Sequence, residues 1–444
     1  MAYAHPATAV LSDYRKAESL LNMVLDESMY DFDALLASGD NYLAWANEDP
    51  EKYEKARVAY ATLLQEYGGR PELLFRMLRY FIRTDNYDEV VRLKNQFQSD
   101  TNLKINPHIY AELGGYLIDK NQLNDVKDIL FRAMELDRSI PEIHYHLARY
   151  YRELEDYGEE EKALRNALRL LQEVSPLTTE RLMKLIDTQN RIGETHYRKE
   201  EYLQAEQAYQ EGIELYEDAR ERQLLGASPK FGKLYANLGD VYYYISGNLG
   251  TAYDLYEKAE KNLYETPSVA YKKGFILYGR EEYQNSLMEF YESAGPFSDN
   301  KNLMYATANS LYQRGEYFAA QGYYNHLLDI LEQEENTVPY LMINEREDHR
   351  SIVESLMKVY NNLGVTLKQL DEKSEDTGKY SRSLAYLTRS TEYADILTRD
   401  FETLERAKTT DLAYLNMRSI LYPDARNELQ IYTNLPKDMQ DLLF

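Results

Sequence analysis

The 444-residue chain contains no cysteine. Disulfides, thiolate metal sites and cysteine nucleophiles are excluded, and the absence suits a reducing and an oxidising compartment equally. Long apolar runs are missing as well. Nothing approaches the roughly 20 apolar residues that cross a bilayer, and Met1 to His5 contains no apolar signal region, so no direct membrane insertion by this segment is expected. An apolar stripe already runs at Tyr14, Ala17 and Leu21. Ala2 to Val10 therefore reads either as a degenerate cap or as the remnant of a truncated first unit, and a removed signal or anchor stays open.

Positive charge is scarce: 51 Lys and Arg stand against 75 Asp and Glu, for a net charge of -24. This balance disfavours nucleic acid and anionic membrane surfaces and favours protein partners with cationic and apolar surface. Signatures of catalysis are also lacking. His144 and His146 lie two apart on one helix and point to different faces, while His108, His196, His326 and His349 are scattered. Acidic runs such as Glu159-Glu160-Glu161 have no Gly-rich phosphate loop or serine nucleophile motif beside them. The expectation is a non-enzyme with no catalytic residue, no metal and no cofactor.

What the chain has is a recurring small residue in an apolar helical pattern, usually followed by a second marker twelve or thirteen positions later. The regular pairs are Leu78 with Val90, Gly114 with Val126, Gly193 with Ala205, Gly239 with Ala252, Gly274 with Ser286, and Ala308 with Ala320. Gly39 with Ala56, Ala148 with Ala163, and Gly364 with Ser383 are stretched versions. Short polar turns such as Lys199-Glu200-Glu201-Tyr202 divide the members of a pair, so each unit holds two helices. Second markers advance by 34 residues from Ala56 to Val90, and again by 34 to Ser286 and 34 to Ala320. Small residues serve close approach, because packed helices come within about 8–10 Å. Tyr-rich runs recur at three and four residues rather than two, which gives strands little support.

The period and the small positions resemble the tetratricopeptide repeat family over roughly residues 14 to 395, most clearly in Leu234 to Tyr242 followed by Ala252, Tyr256 and Ala259. The resemblance implies an all-α fold, a tetratricopeptide-type right-handed superhelical solenoid of antiparallel helix pairs. Residues 1–400 are expected to form one continuous solenoid of nine or ten units, irregular near 78, 215–229, 332–350 and 371–378, with capping helices and a tail over 401–444. The ending from Glu428 to Pro436 is expected to fold back over the last helix pair, with an extended docking tail as the alternative.

The same resemblance places inward-facing residues three before, one after and four after each small position. Those are Tyr145, Arg149 and Arg152; Asn190, Glu194 and Tyr197; Ala236, Asp240 and Tyr243; Tyr271, Phe275 and Tyr278; and Tyr305, Asn309 and Tyr312. Aromatic rings among mixed charges suit recognition of a peptide or helix. Lys233, Asn237, Asp240 and Asn309 do not complete the set with which some members hold a terminal carboxylate. The family implies a protein–protein interaction scaffold, with a transient assembly, secretion or chaperone-like adaptor as the alternative. The stretch Ala425-Arg426-Asn427-Glu428-Leu429-Gln430-Ile431-Tyr432 further resembles the endings of spirochaetal periplasmic flagellar collar proteins. That resemblance implies a periplasmic subunit contacting flagellar motor components; without it, a cytoplasmic location is expected.

Overall fold

The computed structural model describes residues 11–99, 106–173, 178–337, 343–372, 380–401, 406–422 and 428–435. Among these residues no strand occurs, and no helix is long and apolar enough to cross a membrane. The chain divides into two compact units, Met1–Val241 and Tyr242–Phe444.

In the N-terminal unit, α1 (Leu11–Glu27) precedes the pairs α2 (Phe32–Trp45) with α3 (Lys52–Tyr67), α4 (Pro71–Arg83) with α5 (Tyr87–Ser99), and α6 (Pro107–Asp119) with α7 (Val126–Leu136). The pairs α8 (Pro141–Glu153) with α9 (Tyr157–Glu173) and α10 (Thr179–Arg198) with α11 (Tyr202–Glu221) follow, and then α12 (Pro229–Asp240). A π-helical turn, Val241–Ser246, carries the chain into the C-terminal unit. That unit comprises α13 (Leu249–Lys261), α14 (Pro267–Gly279) with α15 (Tyr283–Phe297), α16 (Lys301–Gln313) with α17 (Tyr317–Thr337), α18 (Ile343–Asp371) with α19 (Ser381–Phe401), and α20 (Arg406–Leu421).

Local chemistry explains where the first helix of a pair starts and stops. Pro71, Pro107, Pro141, Pro229 and Pro267 open α4, α6, α8, α12 and α14, where the missing N–H costs nothing and φ is already helical. At the other end Asp85, Asn121, Glu155, Glu200, Glu281 and Gly315 adopt positive φ. The next residue then donates its N–H back five positions, as in Glu201 to the His196 carbonyl (2.9 Å), Glu282 to Leu277 (2.9 Å) and Glu316 to Leu311 (2.9 Å). This left-handed C-terminal motif satisfies carbonyls that the helix leaves open and turns the chain into the second helix.

In five pairs the helices meet over a first marker that lacks a side chain. A Cβ added at Gly39 would lie 2.3 Å from the Tyr60 ring, at Gly114 2.5 Å from Leu130, and at Gly193 2.4 Å from Tyr209. In the C-terminal unit, one at Gly274 would lie 2.5 Å from Phe290 and one at Gly364 2.8 Å from Leu387. Each of these large residues stands four after a second marker, one turn along the second helix, so its side chain covers the glycine. The second markers Ala56, Val90, Val126, Ala205, Ala252, Ser286 and Ala320 are themselves fully buried.

First helices also touch one another directly: α2 with α4, α4 with α6, α6 with α8 and α10 with α12 in one unit, α14 with α16 and α16 with α18 in the other. That places the first helices along the inner face of each stack. Of the irregular stretches, Leu78 and Val90 are buried in α4 and α5. Residues 215–229 carry the end of α11, which is followed by Pro229 opening α12. Over 332–350, α17 continues to Thr337 and α18 begins at Ile343. Most of the 371–378 insertion lies outside the described residues.

Gly193→Leu and Gly274→Leu should each cost about 1–3 kcal/mol or more, because the opposing ring is buried and has nowhere to move. Gly322→Leu, on α17 with open space around its Cα, should melt close to the unaltered chain. Thermal denaturation that fails to separate the first two from the third would overturn the packing register.

Candidate functional site

The inner face has a different chemistry in each unit. In the N-terminal unit it is a charged lattice. Tyr145 donates its hydroxyl to Asp187, and the Arg191 guanidinium lies 4.7 Å over the Tyr145 ring. Arg149 pairs with Asp119 and reaches His146. Arg152 joins buried Glu160 (2.6 Å) to Glu194 (2.9 Å), and Glu194 also takes Lys233 (2.8 Å) and the Asn190 amide (3.1 Å). Burial opposes ionisation of Glu194, but Lys233, Arg152 and Arg191 outweigh it and hold its pKa down at about 2. Tyr197 packs edge-on against Tyr202, and burial with Asp240 nearby pushes its hydroxyl up to about 12. Ala236 is buried and Asp240 is half-buried on α12. Between α8, α10 and α12 this face opens into a cavity of about 390 Å³, lined by Tyr145, His146, Leu171, Met183, Ile186 and Phe231 among others.

The C-terminal unit's inner face is aromatic and amide-rich, and it is occupied by the chain's own ending. Glu428–Leu435 carries no helix or strand and lies along α14, α16, α18 and α20. Asn416 clamps Gln430 from both sides of its amide, accepting from the main-chain N–H (2.9 Å) and donating to the carbonyl (2.8 Å). Asn362 does the same to Tyr432, at 2.7 and 2.8 Å. The Tyr432 carbonyl further accepts from the Tyr305 hydroxyl (2.7 Å) and the Asn309 amide (3.2 Å), while Tyr278 donates to the Thr433 carbonyl (2.6 Å). Clamping alternate residues is what an extended strand requires, since its period is two. Leu435 packs against the cluster of Tyr271, Tyr278, Phe290, Leu303 and Ala306.

These polar groups are preset by one another. Asn309 donates to the Tyr278 hydroxyl (2.7 Å) and accepts from Tyr324 and from Asn362 (2.9 Å), and Asn416 donates to Asn361 (2.9 Å). Burial raises the Tyr305 hydroxyl well above its ordinary value, so it remains a donor.

Of the residues expected to face inward, Tyr278, Tyr305 and Asn309 thus converge on one bound segment. Tyr271 is buried against Phe275 and Phe297, and Phe275 packs on Phe290. Tyr312 packs on Tyr317 with its hydroxyl pushed up to about 12 by burial, and Tyr243 lies against Tyr244 and Tyr256. Asn361, Asn362, Asn416 and Lys358, which donates to the Asn434 carbonyl (3.4 Å), lie outside the expected set. The three-before rule applied to Gly364 reaches Asn361, but Asn362 stands two before, and no small marker flags Asn416.

Two other clusters resemble metal or catalytic sites and are closed by cations of the chain. Glu161, His196 and Glu201 converge, but Lys199 bridges both carboxylates (2.8 and 2.9 Å) and Arg165 meets His196 (3.2 Å). Lys273 is buried among Glu257 (2.8 Å), Glu260 (2.6 Å) and Glu289 (2.9 Å). An ammonium already supplies the charge that an ion would bring.

Stability should fall with acid. Burial holds His146 at about 4, below its ordinary 6.5, so its contribution is complete above 6.5 and lost as pH falls towards 4. Glu194, lowered from 4.5 to about 2, contributes fully above 4.5 and loses that contribution as pH falls towards 2. Urea unfolding at stepped pH should show Glu194→Gln with a shallower slope than the unaltered chain below 4.5. Equal slopes there would contradict the assignment.

No protein-family model matches the sequence, and no curated protein does. Among solved structures, the chain is similar to PilF of Pseudomonas aeruginosa at 19% identity over 50% of this chain and 91% of that one, with a TM-score of 0.41. It is similar to the C-terminal part of a TPR repeat-containing protein of Cytophaga hutchinsonii at 14% identity, over 67% and 98%, with a TM-score of 0.39. The apo form of RapI aligns at 11% identity over 82% of this chain and 99% of that chain, with a TM-score of 0.46. These likenesses are of fold alone. Among the described residues the fold itself is all-α, an array of helix pairs in which each first helix packs on its second.

Proposed function

We propose that this protein is a non-catalytic scaffold that binds extended segments of proteins along the inner face of its helix pairs. The observation that carries this reading is the ladder of side chains aimed at the main chain of Gln430 and Tyr432. Main-chain contacts supply affinity for any extended segment, and apolar contacts such as those of Leu435 select among them. A net charge of -24 steers such a groove towards cationic partners.

The energetics favour a ligand-like role for the ending over a permanent element. Each hydrogen bond contributes about 0.5–1.5 kcal/mol net, while ordering one residue costs about 1–2 kcal/mol. Those two totals are of similar size, so the partial burial of Tyr432 and Leu435 decides the sign. An occupant held this way exchanges with a competitor of the same backbone geometry.

The collar resemblance supports a second, narrower reading, in which the scaffold is a permanent subunit around a periplasmic flagellar motor. Its support is the stretch ending at Tyr432, which includes the first part of the groove-bound segment. Tomography of motors in cells lacking the protein separates the two readings: intact collar density sinks the narrower one. Native mass measurement before and after dilution distinguishes a permanent subunit from a transient adaptor, because obligate interfaces are larger and more apolar.

The general reading is tested with a chain ending at Tyr422 and a blocked synthetic peptide of residues 428–435. The peptide should bind one to one, and Asn362→Ala or Asn416→Ala should each weaken it about tenfold or more, as expected for a lost bidentate contact of about 1.5–3 kcal/mol. In the full chain, the Gln430 and Tyr432 amides should exchange slowly, and Asn362→Ala should release Tyr432. Absence of binding together with unprotected amides would refute the groove as a receptor for extended chains.

A further inference from the structure

The amide pair that reads Gln430 has a counterpart in the N-terminal unit. Asn361 stands three before Gly364, and Asn416 on a following helix donates Nδ2 to its Oδ1 at 2.9 Å. Asn190 stands three before Gly193, and Asn237 on the next first helix donates Nδ2 to its Oδ1, also at 2.9 Å. Residue type and bond direction agree, and the first Asn of each pair holds the same repeat position; Asn237 Nδ2 also meets Glu194 (3.4 Å), where that of Asn416 meets the Gln430 carbonyl (2.8 Å). In the C-terminal unit the second Asn of the pair turns its Oδ1 to the N–H of Gln430 (2.9 Å). Among the described residues, Asn237 Oδ1 accepts no hydrogen bond, and Asn237 is half-exposed on the inner face.

The surroundings supply what a side chain of a bound segment would need. Asn190 itself lines the cavity of about 390 Å³, whose walls include Leu171, Met183, Ile186 and Phe231. Two of the rim charges are paired, Lys184 with Glu142 (2.6 Å) and Glu180 (3.0 Å) and Asp187 with Arg191 (3.2 Å), and the Lys230 ammonium stands exposed at the rim. Apolar walls behind such a rim reward burial of an apolar side chain. The corresponding face of the C-terminal unit buries Leu435 of the bound segment.

Resting on the reading of the inner face as a receptor for extended chains, we infer that Asn190 and Asn237, together with this cavity, form a second binding site. It takes an extended segment of a partner protein, one main-chain N–H of which donates to Asn237 Oδ1, with a neighbouring Leu, Met, Phe or Tyr side chain seated in the cavity. The site uses none of the residues that hold the chain's own ending, so both grooves can be filled together.

The probe is a displayed library of random 12-residue peptides, selected against the full chain and resynthesised. Selected peptides should share a bulky apolar residue, bind one to one, and lose about tenfold or more in affinity to Asn237→Ala and to Met183→Trp, which fills the cavity. They should bind Asn362→Ala unchanged, which distinguishes this site from the C-terminal groove. With the unaltered chain, hydrogen-exchange protection on peptide binding should fall on α8, α10 and α12, a readout that needs no variant. The inference is overturned if no peptide is selected, if selected peptides bind both variants as tightly as the unaltered chain, or if protection falls elsewhere. Any of these results leaves the test with the 428–435 peptide standing, because that test depends on Asn362 and Asn416.

Discussion

Much of this protein depends on one contact, a large side chain of the second helix resting on a glycine of the first. Tyr60 on Gly39, Tyr209 on Gly193 and Phe290 on Gly274 leave no room for even a methyl group. The contact draws the helices of a pair together and sets the pair's orientation. With the second helices fixed in this way, the first helices approach each other along the inner face, and residues at constant offsets from the small position line up there. A groove follows from the spacing of the small positions, and much of its chemistry from the residues the offsets carry.

Those offsets carry two kinds of chemistry. Arg149 pairs with Asp119 and Arg152 with Glu194 across neighbouring helices, so the first unit's inner face is polar yet locally closed. Tyr278, Tyr305 and Asn309, joined by Asn362 one residue off its offset, instead present neutral donors and acceptors. Neutral amides are suited to holding a peptide backbone because one side chain offers both a donor and an acceptor to the same residue. A carboxylate could take only the N–H, and an ammonium only the carbonyl. The buried Asn residues also avoid the desolvation cost of charge, which makes a fully satisfied network compatible with a deep groove.

The acidic excess has a structural share as well. Lys273 and Lys199 each draw acidic side chains inward, and these clusters bind the repeat together without leaving room for an ion.

Helix class, pairing and the positions of close approach were legible in the sequence, because they follow from periods of three to four residues and from small residues, both local signals. The turns were legible as polar breaks, though not their left-handed residues, since Glu200 and Glu281 have no intrinsic preference for positive φ. The offsets also named Tyr278, Tyr305 and Asn309. That Gln430 and Tyr432 would lie against them was beyond any local signal, for the hydrogen bond from Tyr278 to Thr433 spans 155 residues and that from Tyr305 to Tyr432 spans 127. The partnership of Asn190 with Asn237 is likewise invisible in one dimension, because it depends on how far each first helix is rotated about its axis. By itself the sequence determined which residues form helices and where two helices must touch. Tertiary structure alone decided which amides meet and which extended segment they hold, because distant hydrogen bonds form only after packing has fixed the distance between their donors and acceptors.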